Sequence, residues 1–212
     1  MHHIRKLLMI LPALLIFGCA GVTYRLSQQD LAWVPYSPSD VLIFKNNVGD
    51  VDTILISAVN KFTAPEDPLA VTSKNHEHLV VGGYFSEPEK AVFEQRSANI
   101  LYLRLSAGKN GSGSIDFNVV TSHAKFYQDS TNYDRGRFDS LPRIKLTTTY
   151  AAYENIVMVP VLKGMRNMGD PDYRLQSNFV TALYWSKKNG IVRYDLKNGQ
   201  SWVLSERYSA KK

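Results

Sequence analysis

The chain has 212 residues, a formal net charge of +6, 44% hydrophobic residues and 21% charged residues. This length predicts one domain or two small ones, and the composition is that of a chain that buries a core, which excludes wholesale disorder. A single Cys excludes an intramolecular disulfide framework and a zinc site built from several thiolates.

The N-terminus has the pattern of a secretory signal peptide. Arg5 and Lys6 supply a positively charged start, and an apolar run from Leu7 to Phe17 follows, interrupted by Pro12. A membrane-spanning helix needs about 20 apolar residues, so this run is too short to be one. The sequence therefore predicts export of the chain. It contains no Arg/Lys-rich helix or aromatic-basic motif that would indicate nucleic-acid binding.

The segment Ile16-Phe17-Gly18-Cys19 resembles the lipobox of bacterial lipoprotein precursors. The resemblance implies that a peptidase cuts between Gly18 and Cys19 and that Cys19 is acylated, which holds the protein to a membrane through lipid. Two or three acyl chains anchor a protein firmly, whereas one binds marginally. Ala20 after the Cys favours the outer membrane by analogy with enteric bacteria. The alternative is an ordinary signal peptide, or an uncleaved anchor, with an incidental Cys.

Three segments follow from this division of the chain. Residues 1–18 are the predicted signal peptide, residues 19–29 the lipidated Cys and a tether, and residues 30–212 a single β-rich domain. Ser27 is a predicted N-cap for a short helix over residues 28–34, with Asp30 as its capping-box partner.

Most of the mature chain has the pattern of strands separated by Gly, Asn and Pro turns. Residues 41–44 and 53–59 predict one hairpin, and residues 100–105 and 115–120 a second. Residues 63–78 and 128–140 are predicted loops. The remaining strand candidates are residues 79–85, 92–97, 144–150, 155–162, 179–185, 191–196 and 201–204.

The C-terminal hairpin has the strongest local signal, because Asn198-Gly199 separates two apolar runs. A two-residue turn would place Tyr194 beside Val203 and Asp195 beside Trp202. Both faces of that hairpin would then carry apolar residues. The sequence leaves two explanations open: the hairpin is covered on both sides, or its loop is longer than two residues.

The run from Tyr184 to Leu204 resembles a closing segment of small secreted lipoproteins of Bacteroidota, and residues 42–53 are similar to their opening hairpin. The resemblance implies an envelope location and a curved β architecture with a concave apolar face. With about ten strand candidates and no long amphipathic helix, we expect an all-β, mainly antiparallel fold. It would be a curved sheet, half-barrel or sandwich with at most one or two short helices.

Two groups of residues are candidates for binding. His76 and His78 would project from the same side of a strand, as a metal pair requires, but a third ligand is not evident and surface histidines are the expected explanation. Flat rings with a polar handle suit glycan or protein contacts, although a β core uses them too. The aromatic candidates for a binding surface are Trp33, Tyr36, Tyr184 and Trp202.

The sequence contains no nucleophile elbow, P-loop or dinucleotide fingerprint. We therefore expect no catalytic residues and no cofactor. The leading hypothesis is a non-catalytic binding or accessory module at the cell envelope, whose partner is an envelope protein, a glycan or a lipid. The alternatives are an envelope hydrolase acting on glycan or lipid, and a structural or assembly subunit of a surface complex.

Overall fold

The computed structural model describes residues 21–70, 73–85, 101–109, 113–120, 125–126, 133–160, 177 and 179–209. The predicted signal peptide, Cys19 and the strand candidate at residues 92–97 lie outside these residues. The strands are β1 (Thr23–Tyr24), β2 (Asp40–Asn46), β3 (Val51–Pro65), β4 (Asn75–Phe85), β5 (Leu101–Ala107), β6 (Gly113–Val120), β7 (Lys125–Phe126), β8 (Tyr133–Asp134), β9 (Arg143–Thr147), β10 (Ala152–Pro160), β11 (Val180–Ser186), β12 (Gly190–Leu196) and β13 (Ser201–Ser209). The helices are α1 (Gln28–Leu31) and α2 (Arg135–Ser140).

All thirteen described strands belong to one sheet, and eleven of them form a continuous path. Its order is β7-β6-β5-β4-β3-β2-β13-β12-β11-β10-β9, with β1 beside β4 and β8 beside β6. Every pairing is antiparallel except that of β1 with β4. The path does not close, since β7 and β9 lie at its two ends. The prediction of a mainly antiparallel all-β fold with two short helices is confirmed.

The sheet curves so strongly that strands far apart in its order meet across the core. Phe117 of β6 contacts Trp185 of β11, with ring centroids 5.0 Å apart. Phe138 of α2 packs at 4.4 Å against the edge of Trp33, which follows α1. These large buried rings fill the concave face of the sheet and exclude water from it.

The turns from β2 to β3 and from β12 to β13 each have three loop residues, not two. In the turn from β12 to β13, Leu196 N–H donates to the Gln200 carbonyl at 2.8 Å and Gly199 has a φ of 85°. A three-residue loop ends in this left-handed conformation, which glycine adopts at little cost. The longer of the two loops considered from the sequence is therefore confirmed, and the same arrangement recurs at Gly49, with a φ of 99°.

That one extra residue decides which side chains enter the core. Tyr194 pairs with Trp202 and Asp195 with Ser201, so the register expected for a two-residue turn is wrong by one position. A shift of one residue exchanges the two faces of a strand. In the observed register Tyr194 and Trp202 are both buried, and their rings stack at 6.0 Å.

Two predicted loops are partly regular structure. β3 continues to Pro65 and β4 begins at Asn75, so only residues 66–74 connect them. The predicted loop at 128–140 ends in β8 and α2, and Phe138 of α2 is fully buried. The capping box at α1 is confirmed, because Asp30 N–H donates to the Ser27 hydroxyl and Ser27 N–H to the Asp30 carboxylate. Across the part of the chain that the structure describes, no helix is both long and apolar enough to cross a membrane.

Candidate functional site

An open groove of about 920 Å3 lies where the sheet splits between β12 and β13. β12 and β13 pair over only three positions, Arg193–Asp195 with Ser201–Val203. Beyond these three positions, β13 shifts its register relative to β2, between Leu204 and Glu206. The groove walls are residues 151–155 of the β9–β10 hairpin, residues 186–189 of the β11–β12 turn, residues 204–207 of β13, and Arg143.

The β9–β10 hairpin reaches the groove because β10 is irregular. The register of β10 relative to β9 shifts between Tyr153 and Ile156. Within this shift Asn155 has a φ of 55°, a left-handed conformation that Asn tolerates better than most residues. The bend lets the Tyr153 hydroxyl donate to the Leu204 carbonyl at 3.2 Å. β10 thus contacts β13 through Tyr153, although the two strands do not pair.

Arg207 is one of the cations that line the groove. It donates to the Asp40 carboxylate at 2.8 Å, to the Lys188 carbonyl at 3.2 Å and to the Pro35 carbonyl. Its guanidinium also lies over the Tyr36 ring, 5.4 Å from the centroid. These contacts hold one wall of the groove in a single arrangement.

Asp40 is buried beside this cation and keeps its charge. Burial alone would raise the pKa of Asp40, but hydrogen bonds from the Ser209 hydroxyl, Ser37 N–H and Arg207 outweigh it and lower the pKa below its ordinary value. Arg207 and Asp40 therefore form an ion pair with its hydrogen bonds satisfied, as a buried pair requires.

Two more cations of the groove rest on Trp33. The Lys187 ammonium lies 4.1 Å and the Arg143 guanidinium 5.0 Å from the centroid of this ring. Both cations also approach the Asp139 carboxylate, at 3.9 Å and 3.4 Å. A cation over an indole face is attracted by the negative quadrupole of the ring. Trp33 is thus a buried support for the groove wall.

The groove carries four cations and two carboxylates. The cations are Arg143, Lys187, Lys188 and Arg207, and the carboxylates are Glu154 and Glu206. Glu154 pairs with Lys145 at 3.0 Å and Glu206 with Lys45 at 3.7 Å, on exposed surface. Both carboxylates therefore have lysine partners, as Arg207, Arg143 and Lys187 have aspartate partners, and the lining itself holds more cations than carboxylates.

The four aromatic residues proposed from the sequence do not form one exposed surface. Trp33, Tyr36 and Trp202 are buried in the core, where Trp33 and Tyr36 support groove cations from behind. Tyr184 is half-buried on β11, with its hydroxyl donating to Asp195 at 2.9 Å. Their rings pack in the core or support groove cations. These four residues do not form a flat, exposed platform on which sugars could stack.

His76 and His78 lie on the same face of β4, as expected, with ring centroids 6.5 Å apart. The expectation of exposed surface histidines is wrong, because His78 is buried and His76 is partly buried. His76 Nδ1 is 2.6 Å from the Ala107 carbonyl, and the Arg104 guanidinium lies 3.2 Å from His78 Nδ1. A guanidinium so close repels a metal cation. Within the described ranges, no group of three His, Cys, Asp or Glu side chains is placed to hold a metal ion.

His78 also contacts Ser106, with its Nδ1 2.9 Å from the hydroxyl oxygen. Burial, together with Arg104 and His76, lowers the pKa of His78, so its ring is neutral at pH 7. A neutral His beside a Ser is the start of a nucleophile and base pair. However, β5 is paired on both sides, by β4 and β6, so the sheet uses the main-chain N–H groups that an oxyanion site would need.

Sequence reasoning missed the groove residues altogether. The cations are Arg143, Lys187, Lys188 and Arg207. Each lies among polar residues of the kind found in many exposed turns and strand ends, and no sequence motif includes them together. Comparison with known proteins adds no assignment, since no family model, no curated protein and no solved structure matches the chain.

Proposed function

We propose that the protein is a cell-envelope lipoprotein, acylated at Cys19, whose β-rich domain is a non-catalytic binding module for an envelope protein. The lipobox and the signal-peptide pattern support the anchor. The charged groove beside the β9–β10 hairpin supports the binding role, and it is the observation on which this role depends.

The chemistry of the groove favours a polar partner with negative charge. Four cations line it, three of them held by contacts with Trp33, Tyr36 or a carboxylate before any partner arrives. Charged groups that are already positioned cost less entropy when a partner binds. The concave face of the sheet is filled by aromatic side chains, which argues against a lipid in that position.

The edge of the sheet favours a protein over a free anion. Among the described strands β9 pairs with β10 alone, so one side of β9 is open to another strand. Arg143 at its start lines the groove, and Lys145 is exposed on the same strand. An extended acidic segment that adds to β9 would place its side chains beside these cations. The assembly-subunit alternative uses this same edge.

The binding role is tested by photocrosslinking in cells. A photoreactive residue replaces Lys188 in the groove or, as control, Lys197 in the exposed β12–β13 turn. We expect one crosslinked product of constant mass from position 188 and none from position 197. Lys145→Glu should lower its yield several-fold and Lys197→Glu should leave it unchanged. Equal yields from both positions, or no product at all, would contradict a protein-binding groove.

The anchor is tested separately by metabolic labelling with an alkyne fatty acid. Wild-type protein should carry the label, and Cys19→Ala should carry none and remain uncut or be released from the membrane. Undiminished label on Cys19→Ala would refute the lipoprotein assignment.

A further inference from the structure

The segment after the predicted anchor is not a free tether. From Val22 onward the chain is bound to the sheet: the Val22 carbonyl accepts from Asn75 N–H at 2.9 Å, and β1 pairs with the start of β4. Leu26 N–H then donates to the Glu77 carboxylate at 2.9 Å, and α1 follows. The tether expected over residues 19–29 is thus part of the folded domain from residue 22.

This docking limits how far the domain can stand from a bilayer. Two residues separate Cys19 from Val22, so their Cα atoms are three steps apart. A fully extended chain spans at most about 3.3–3.6 Å per step, or about 10 Å here. If Cys19 is acylated, Val22 lies within that distance of the lipid interface. The same limit applies to whatever part of the domain surrounds Val22.

Three exposed apolar side chains belong to this end of the β3–β4 hairpin. Val22 is 58% exposed, Leu69 in the β3–β4 loop is 93% exposed, and Phe62 near the end of β3 is 45% exposed. The loop is attached to the N-terminal segment, because Gly21 approaches the Ser73 carbonyl and Asn75 binds Val22. Val22, Phe62 and Leu69 therefore lie at one end of the β3–β4 hairpin, and we name them the anchor-side patch.

The β3–β4 loop holds Leu69 outward by its own hydrogen bonds. Asp67 N–H donates to the Ser73 hydroxyl at 2.8 Å, and Leu69 N–H donates to the Asp67 carboxylate at 2.9 Å. Glu66 N–H donates to the Lys74 carbonyl at 2.7 Å. In the isolated protein, exposing the Leu69 side chain to water contributes no stability. The same leucine gains burial when the loop meets lipid.

We propose that the anchor-side patch inserts into the surface of the bilayer that holds Cys19, and so fixes the orientation of the domain on the membrane. This rests on the proposed lipid anchor. Apolar burial drives the contact, since the charges around the patch are mixed: Lys61 and Lys74 against Glu66 and Asp67. Insertion of this kind reaches about 5–10 Å into the headgroup and acyl boundary.

The test uses full-length acylated protein in phosphatidylcholine vesicles, with a nitroxide on Leu69→Cys. An acylated Cys19 has no free thiol, so the label reports one site. The matched control is Val48→Cys, since Val48 is also apolar and 68% exposed but lies in the turn at the opposite end of β3. We expect the label at position 69 to collide several-fold less with a nickel chelate, and more with oxygen, than the label at position 48.

Equal chelate access at both positions would overturn the inference, and so would spin-spin broadening at position 69, which would show two copies packed together there. Intact mass separates this failure from that of the anchor. If the mass shows no acyl chain, the lipoprotein proposal fails and the insertion fails with it. If the chains are present and position 69 is aqueous, only the insertion fails.

Discussion

Gly190 at the start of β12 offers the sharpest test of the packing beneath the groove. Its φ is 75°, and a Cβ placed there would lie 2.1 Å from the Tyr36 hydroxyl and 2.3 Å from Tyr36 Cζ. Tyr36 cannot withdraw easily, because its ring is buried and its hydroxyl accepts the Ile191 N–H at 2.9 Å. Gly190→Ala therefore meets both a conformational penalty and a steric one.

The two penalties can be separated within the same protein. Gly199 has a φ of 85° and open space where its Cβ would stand, so Gly199→Ala meets the conformational penalty alone. That penalty is about 1–2 kcal/mol for an L-residue in the left-handed region. Forcing a methyl group into a packed site adds about 1–3 kcal/mol. We expect Gly190→Ala to lower the free energy of unfolding by about 2–5 kcal/mol in all.

Urea unfolding of both variants, followed by tryptophan fluorescence, gives the comparison. The slope of the free energy against urea should be unchanged while the midpoint falls further for Gly190→Ala than for Gly199→Ala. Equal midpoints would show that the Tyr36 side chain moves aside without loss of stability. The claim that Tyr36 and Arg207 hold the groove wall in one arrangement would then be wrong. Gly190→Ala should also reduce the photocrosslink from position 188, because residues 186–189 form part of that wall.

Two further predictions concern buried carboxylates. Tyr194→Phe removes a hydroxyl that donates to the buried Asp52 carboxylate at 3.1 Å, and should lower the free energy of unfolding in urea by about 1.5–3 kcal/mol. The control is Tyr208→Phe, whose ring is exposed and whose free energy of unfolding should hardly change. Equal effects of the two variants would contradict the role of the hydrogen bond. The lowered pKa of Asp40 stabilises the fold above its unfolded pKa of about 3.9, and this stability is lost as pH falls through the folded pKa. As pH is lowered from 6, the free energy of unfolding should therefore fall less steeply for Asp40→Asn than for wild type. Parallel curves of free energy against pH would refute the lowered pKa of Asp40.

Local patterns predicted most of the secondary structure. The capping box at Ser27, the Gly turns and the two early hairpins depend on residues a few positions apart, so their chemistry is legible in the chain. The extension of β3 and β4 was missed because Pro65 and the charged residues after it have turn chemistry. There the partner strand overrode local preference.

The groove was beyond such reasoning. Its cations come from β9, the β11–β12 turn and the last strand, and they converge only because the register shifts in β10 and β13 bend those strands toward each other. A β-bulge adds one residue to one strand, and no sequence motif marks the shifts between Tyr153 and Ile156 or between Leu204 and Glu206. Of the aromatic candidates, Trp33, Tyr36 and Trp202 lie in the core, because a strongly curved sheet needs large rings to fill its concave face.

The sequence by itself determined the β-rich class, the turns and the short capped helix, because alternation, glycine conformations and capping are interactions among near neighbours. It also carries the predicted export and acylation signals, which are read from the unfolded chain. Only the tertiary structure decided the position of Trp33 behind the groove and the docking of the N-terminal segment on β4. Those depend on contacts between residues that are distant in sequence, whose free energies belong to the packed sheet as a whole.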